Sequence, residues 1–255
     1  MKSVHEWVKK VVGEKPSNPT HAPHAKAPSS PVPHHKHPIQ RPQQKMQPAP
    51  VGQPGKHLKI YPLGGFEEVG RNCLVIDVDN DLYIIDLGLQ FPEEDMPGID
   101  YLIPDLSALR GKEHRIRAVI FTHGHLDHIG AVQHVIQQLR FPPCYGTKLT
   151  MAFVKKRLDE EKLTSKAKLN TSAFGQKIVL GQVTIEFLRV THSIPDSAAV
   201  AVHTPYGTIV HTGDFKFDLT PMNEPPADFQ RLAELGDAGV LAIIADSTNA
   251  TKPGN

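Results

Sequence analysis

The chain has 255 residues and a formal net charge of +1, room for one ordinary domain or two small ones. It contains no apolar run near the ~20 residues that a membrane-spanning helix needs, and its N-terminus lacks the apolar core of a secretory signal. The two cysteines, Cys73 and Cys144, are far apart and form no C-x-x-C. That excludes a disulfide framework and leaves two buried thiols as the reading. The expectation is a soluble cytoplasmic protein with no membrane partner.

The charge is unevenly spread. Residues 1–57 carry nine Lys/Arg against two Asp/Glu, whereas 58–255 carry nineteen against twenty-five. A basic segment is joined to a mildly acidic body. The same first 57 residues hold eleven of the 23 prolines and seven of the 15 histidines. Residues 1–56 are therefore expected to form a disordered tail with local polyproline II character, having little to bury. Val4, Trp7, Val8, Val11 and Val12 follow helical spacing, but so short a helix is marginal alone and is read as a fraying end. His34, His35 and His37 are read as solvated, because a flexible segment must be ordered before it holds a metal. The basic charge offers non-specific, salt-sensitive affinity for RNA.

From His57 the chain becomes regular. "HLKIYPLGG" reads as a strand closing in a glycine turn, and "CLVIDV" and "DLYIIDLG" as a hairpin about "DND". "RAVIFT" is a buried strand. "IGAVQHVIQQL" has helical spacing at Ile129, Val132, Val135, Ile136 and Leu139, and "LTMAFVKKRLDEEKL" is a second helix. Strands follow at "KIVLGQ", "VTIEFLRV", "AAVAVHT" and "GTIVHTGD", then a helix around "DFQRLAELG" and a last strand "VLAIIADS". Early strands pair locally and helices intervene later. This predicts a layered α/β sandwich over 57–255 rather than a purely parallel sheet. There is no internal repeat and no glycine-rich phosphate loop.

The chemistry concentrates in "THGHLDH", at the junction of "RAVIF" and the first helix. His123 and His125 are two apart, so an extended loop can turn both to one side. Asp127 and His128 follow at the turn into the helix and can address a second point. Two adjacent Zn²⁺ ions, each wanting about four N or O ligands, need this kind of set. Such a pair clamps the attacking and leaving oxygens of a phosphoryl displacement. Further ligands are sought at later strand ends. His192 follows "VTIEFLRV", and Asp214 follows "GTIVHT", where it is able to bridge two ions. His134 within a helix, His203 and His211 within strands and His114 in a turn are read as structural.

The H-x-H-x-D-H motif with a later His and Asp resembles the metallo-β-lactamase superfamily. Within it, "PLGGFEEVGRNCLVI", "FPEEDMPGIDYLIPD", "FTHGHLDHIGA", "TKLNTSAF", "VTHSIPDSAAVAVHTPYGTIVHTGDFKFD" and "ADSTN" together resemble the ribonuclease J family of β-CASP nucleases over about residues 57–255. The resemblance implies a metallo-β-lactamase-type αββα sandwich. It also implies a zinc-dependent ribonuclease with 5′→3′ exonuclease and endonuclease activity, acting through a dinuclear, metal-activated hydroxide. His123, His125 and His192 would hold one Zn²⁺, Asp127 and His128 the other, and Asp214 would bridge, with Mn²⁺ or Mg²⁺ as alternatives in the cell. Asp127, His128 and Asp246 are the implied catalytic residues, Asp246 matching the first β-CASP acidic motif. Asp86, after "LYII", would lie beneath the site and orient ligands. The implied partners are an RNA substrate and, in the full-length protein, further copies of the chain.

The family pattern also sets an expectation for the end of the chain. Residues 57–255 would be the N-terminal portion of the metallo-β-lactamase domain, stopping where a β-CASP region begins. The later histidines and the 5′-phosphate pocket would be missing, so this stretch alone would bind metal less tightly and turn over little RNA. Two other readings compete: a metallo-β-lactamase-fold hydrolase of thioesters or lactams, and a non-catalytic RNA-binding fragment. "THSIPDS", "GDFKFD" and "ADSTN" speak against the first, because smaller hydrolases of this fold lack them.

Overall fold

A computed structural model of the chain describes residues 56–222, 224–248 and 250–253. The expectations for the tail, namely its disorder, the helical spacing of Val4–Val12 and the histidines at 34, 35 and 37, lie outside the described residues.

The first sheet begins with β1 (Leu58–Gly64), antiparallel to β2 (Cys73–Val78), which is antiparallel to β3 (Asp81–Ile85). The turn between β2 and β3 is Asp79–Asn80, both with positive φ (49° and 76°). This is the two-residue connection whose twist suits a hairpin and which Asx residues tolerate. β4 (Ile116–Ile120), β5 (Cys144–Gly146) and β6 (Leu169–Thr171) then add in parallel, giving the order β1-β2-β3-β4-β5-β6. The second sheet contains β7 (Lys177–Leu180), β8 (Val183–Arg189), β9 (Ala198–Thr204) and β10 (Gly207–His211), all antiparallel, with β11 (Val240–Ile244) parallel to β10.

Three apolar cores separate four layers. Leu74, Ile76, Tyr83, Ile85 and Ile120 of the first sheet meet Ile185, Phe187, Val200 and Val202 of the second. Cys73, Val75, Leu82, Ile84 and Val119 point the other way, under the helical layer. That layer includes α1 (Leu126–Ile129), α2 (Val132–Val135) and α3 (Lys148–Glu160). On the far side of the second sheet, Leu188, Ala199, Ala201 and Val210 pack against Leu235 of α4 (Phe229–Ala238). The expected αββα sandwich is therefore present, and its logic is visible in β2. "CLVIDV" is buried at every position because both faces of its sheet are covered.

The "IGAVQHVIQQL" segment differs from the single helix that its spacing predicts. It forms two four-residue turns, α1 and α2, broken at Gly130–Ala131. The Ala131 N–H leaves the helical ladder and donates to Leu87 O at 2.9 Å, while Leu87 N–H donates to His128 O at 2.8 Å. The chain gives up helical continuity to bond the segment beyond β3 that lies beneath the site. The short β5 and β6 escape sequence reading, since three residues carry too little periodicity to register.

Phe187 is fully buried between the two sheets. Phe187→Ala is expected to cost about 3–5 kcal/mol, read as a lowered urea midpoint with an unchanged slope. Among the described residues, no helix is long and apolar enough to cross a membrane.

Candidate metal centre

Three loops at the C-terminal ends of strands converge on one point. The loop after β4 brings His123 and His125, the α1 turn that follows brings Asp127 and His128, the segment after β8 brings His192, and the turn after β10 brings Asp214. The two sheets thus contribute to one site from opposite sides of the inter-sheet core. The turn carrying Asp214 depends on Gly213, whose φ is 57°. A Cβ there would lie 2.9 Å from Ala198 O and 3.1 Å from Thr122 Cβ, so both conformation and space require glycine.

The donors form two overlapping groups. His123, His125, His192 and Asp214 offer one ligand atom each, as do Asp127, His128 and Asp214, and within each group the atoms lie within 4.8 Å of one another. His125 Nδ1 lies 3.1 Å from His123 Nε2 and 3.2 Å from His192 Nε2. Asp214 stands between the groups: its Oδ1 is 3.2 Å from His128 Nε2, and its Oδ2 is 3.6 Å from His192 Nε2 and 3.9 Å from His123 Nε2. Asp127 Oδ2 is 3.5 Å from His128 Nε2. Imidazole nitrogens facing one another this closely need a proton or a cation between them, and three imidazoles with a carboxylate are a zinc-type set.

Beside the cluster, Asp86 contacts Thr122 and His128. It is buried, and its φ of 64° aims the side chain into the site, a backbone state that costs energy in a non-glycine residue. Its Oδ1 accepts Thr122 N–H at 2.8 Å and its Oδ2 accepts Thr122 Oγ1–H at 2.8 Å. His128 Nδ1 lies 2.8 Å from the same Oδ2, which fixes the ring and turns Nε2 toward Asp214. Thr122 Oγ1 also lies 3.1 Å from His123 Nδ1. Thr122 was not singled out from sequence, although its place directly before His123 in "FTHGH" was the available signal.

The electrostatics suit a cation. Burial and the neighbouring imidazoles push His123 down to about 2. Burial likewise lowers His125 and His192. These rings are neutral at physiological pH and keep lone pairs for a ligand bond. His128 is the exception. Burial alone would lower it, but the Asp86 and Asp214 carboxylates outweigh burial and hold it up to about 10. Asp214 is held well below the usual carboxylate range, because the hydrogen bond from His128 and the surrounding imidazoles overcome its burial.

Asp246 belongs to neither donor group. It faces the same cleft of about 550 Å³, which Asp127, His128 and Asp214 also line, together with Phe66, Glu67 and Glu68. The four histidines read as structural are engaged elsewhere or exposed. His134 stacks on Tyr101 at 4.6 Å. His203 sits 3.0 Å from Thr208 Oγ1 and 3.1 Å from Glu186 Oε2. His114 is exposed on a 3₁₀ turn. His211 accepts Gly213 N–H on Nδ1 at 3.1 Å, shaping the turn that carries Asp214, and lines the cleft. Both cysteines are buried and free.

Sequence reading also passed over Gly88 and Asn72. A Cβ on Gly88 would fall 1.6 Å from Asp127 O, so Gly88→Ala must push the Asp127 loop away from β3. The expected result is a folded protein with weaker metal binding at Asp127 and His128 and a near-normal group at His123, His125 and His192. Stepwise metal titration checks this outcome. Asn72 donates to Asp127 O from its backbone N–H at 3.0 Å and from Nδ2 at 3.1 Å.

Comparison with known proteins places this geometry in context. The family model described as the metallo-beta-lactamase superfamily matches residues 67–244. Ribonuclease J of Synechocystis sp. is 42% identical over 198 residues, covering 77% of this chain and 31% of that protein. Ribonuclease J 2 of Staphylococcus epidermidis is 42% identical over 199 residues, covering 78% of this chain and 36% of that protein. The chain spans about a third of the length of these curated relatives. Among solved structures, the metallo-beta-lactamase fold protein YhfI from Bacillus subtilis is similar with a TM-score of 0.43 and 20% identity, over 63% of this chain and 64% of that one.

Proposed function

The chain belongs to the metallo-β-lactamase superfamily, and from that premise we propose that it carries the metal-binding part of a ribonuclease of the ribonuclease J type. The convergence of His123, His125, His192, Asp127, His128 and Asp214 from three strand ends carries the reading. On this reading His123, His125 and His192 would hold one Zn²⁺ and Asp127 and His128 a second, with Asp214, a member of both donor groups, available to either. Zinc, when bound, supplies Lewis-acid polarisation of a phosphoryl oxygen and positive charge where negative charge develops.

The chain's own residues do the rest. Asp86 and Thr122 lock His128 and His123 from below, so the ligand rings need no reorganisation. Asp127 and Asp246 border the cleft with carboxylates. In hydrolysis, water attacks phosphorus and the bond to the leaving ribose oxygen breaks. A carboxylate accepts the water proton and returns one to the leaving oxygen. The cleft's acidic lining would repel RNA by itself, and bound divalent cations would reverse that sign locally.

We assign residues 57–255 to the N-terminal portion of a metallo-β-lactamase domain, ending at the start of a β-CASP region. The basic residues 1–56 are assigned as a tail that adds salt-sensitive RNA affinity. Unchanged affinity at low salt after deletion of 1–55 would count against that tail role.

The test is direct. Mass spectrometry of the protein at its gene-encoded full length should find about two zinc-class ions per chain. The loaded protein should cut 5′-monophosphorylated single-stranded RNA and leave thioesters and lactams intact. His123→Ala should lower RNA cleavage by at least ~10³-fold. A protein that binds no metal, or that consumes a thioester or lactam and spares RNA, would overturn the assignment.

A further inference from the structure

Asn72 stands at the wall of the cleft beside the Asp127, His128 and Asp214 group. It lies between the glycine turn after β1 and the start of β2, half-buried. Its backbone is held on both sides, the N–H by Asp127 O at 3.0 Å and the carbonyl by Gly88 N–H at 2.9 Å. Its amide orientation is set by the bond from Nδ2 to Asp127 O at 3.1 Å. The oxygen end is crowded toward Gly65, where a Cβ would lie 2.3 Å from Oδ1. An amide nitrogen carries two protons. One goes to the Asp127 carbonyl, and the same nitrogen is 3.2 Å from His128 Nε2, the atom that would ligate an ion.

The surroundings give that second proton its meaning. The cleft wall carries carboxylates at Glu67, Glu68, Asp127, Asp214 and Asp246. Its side-chain N–H groups belong to Asn72, His128 and His211. His128 is committed through Nδ1 to Asp86 and through Nε2 to the donor group, and His211, accepting Gly213 N–H on Nδ1, carries its own N–H on Nε2. Of these, Asn72 offers an uncharged donor held 3.2 Å from His128 Nε2, next to the point where a phosphoryl group would sit.

We infer that Asn72 binds substrate directly, donating the second Nδ2 proton to a non-bridging oxygen of the phosphodiester held at the Asp127–His128–Asp214 group. This rests on the phosphodiesterase reading above. The bond supplies orientation that the divalent ions, as point charges, do not.

The probe is inorganic phosphate, titrated into the zinc-loaded chain by calorimetry, with zinc affinity measured separately by chelator competition. Asn72→Ala and Asn72→Asp are each expected to weaken phosphate binding roughly 10- to 100-fold while zinc affinity stays within about two-fold. In ¹⁵N-labelled wild-type protein, the Asn72 side-chain amide resonance should move downfield on phosphate addition, a readout that needs no variant. Unchanged phosphate affinity in both variants, or an amide resonance that does not respond, would overturn the inference and leave the nuclease reading standing. A loss of zinc affinity equal to the loss of phosphate affinity would overturn it too, since Asn72 would then only prop up Asp127. Wild-type protein that takes up zinc and binds no phosphate would sink the phosphodiesterase reading itself.

Discussion

On the proposed two-ion reading, Asp214→Ala is expected to disable both donor groups at once, lowering metal affinity by at least ~100-fold at each. Its two oxygens address different donors, Oδ1 the His128 nitrogen and Oδ2 those of His192 and His123. The other five candidate ligands each belong to one group. His192→Ala should therefore weaken one ion and spare the other, whereas Asp214→Ala should weaken both. Chelator competition with metal counting by mass spectrometry distinguishes the patterns. Retention of one tightly held ion in Asp214→Ala would show that the carboxylate does not join the groups. The Asp214 change should leave the fold largely intact, because the residue lies in a turn at the cleft and not within a core.

Asp86→Ala is expected to harm stability and metal binding together. The carboxylate is buried and takes two hydrogen bonds from Thr122 and one contact from His128. Its removal leaves the Thr122 N–H and the His128 ring without their buried partner, at a cost of about 3–5 kcal/mol. With the ring no longer fixed, metal affinity should fall by ~10- to 100-fold. Equilibrium unfolding and zinc titration on the same variant check both figures. Wild-type stability with normal zinc affinity would remove Asp86 from the site's design.

The same contact predicts a pH signature in chelator-treated protein. His128 is raised to about 10 by Asp86 and Asp214. A group whose folded value lies above its unfolded value contributes stability that is complete below the unfolded value. That contribution is lost as pH climbs through the folded value. The ion-free protein should thus lose stability from about pH 6.5, the ordinary histidine value, to about pH 10. Asp86→Ala should flatten that slope.

How much of this was legible in the chain differs by element. The ligand loop is local: a strand, two histidines two residues apart and an Asp-His pair at a helix start are adjacent in sequence, so their shared purpose can be read there. The hairpin at Asp79–Asn80 is local for the same reason. His192 and Asp214 were candidates because each follows a clear strand, and strand ends of layered α/β folds are where ligands collect. The broken helix at Gly130–Ala131 was not legible. Its cause is the bond from Ala131 N–H to Leu87 O, between residues 44 positions apart.

The sequence alone indicated the layered α/β class and six candidate ligand residues, because periodicity, turn chemistry and ligand spacing are properties of neighbours along the chain, and the aspartate proposed beneath them entered only through the family resemblance. Only the tertiary structure decided that Asp214 stands between two donor groups and that Thr122 ties Asp86 to two ligand histidines. It alone placed Asp246 on the cleft wall outside the donor groups, and set the Asn72 amide beside His128, 56 residues away. These are relations across the gap between two sheets. Their distances follow from how the three apolar cores pack, and no one-dimensional pattern carries a distance of that kind.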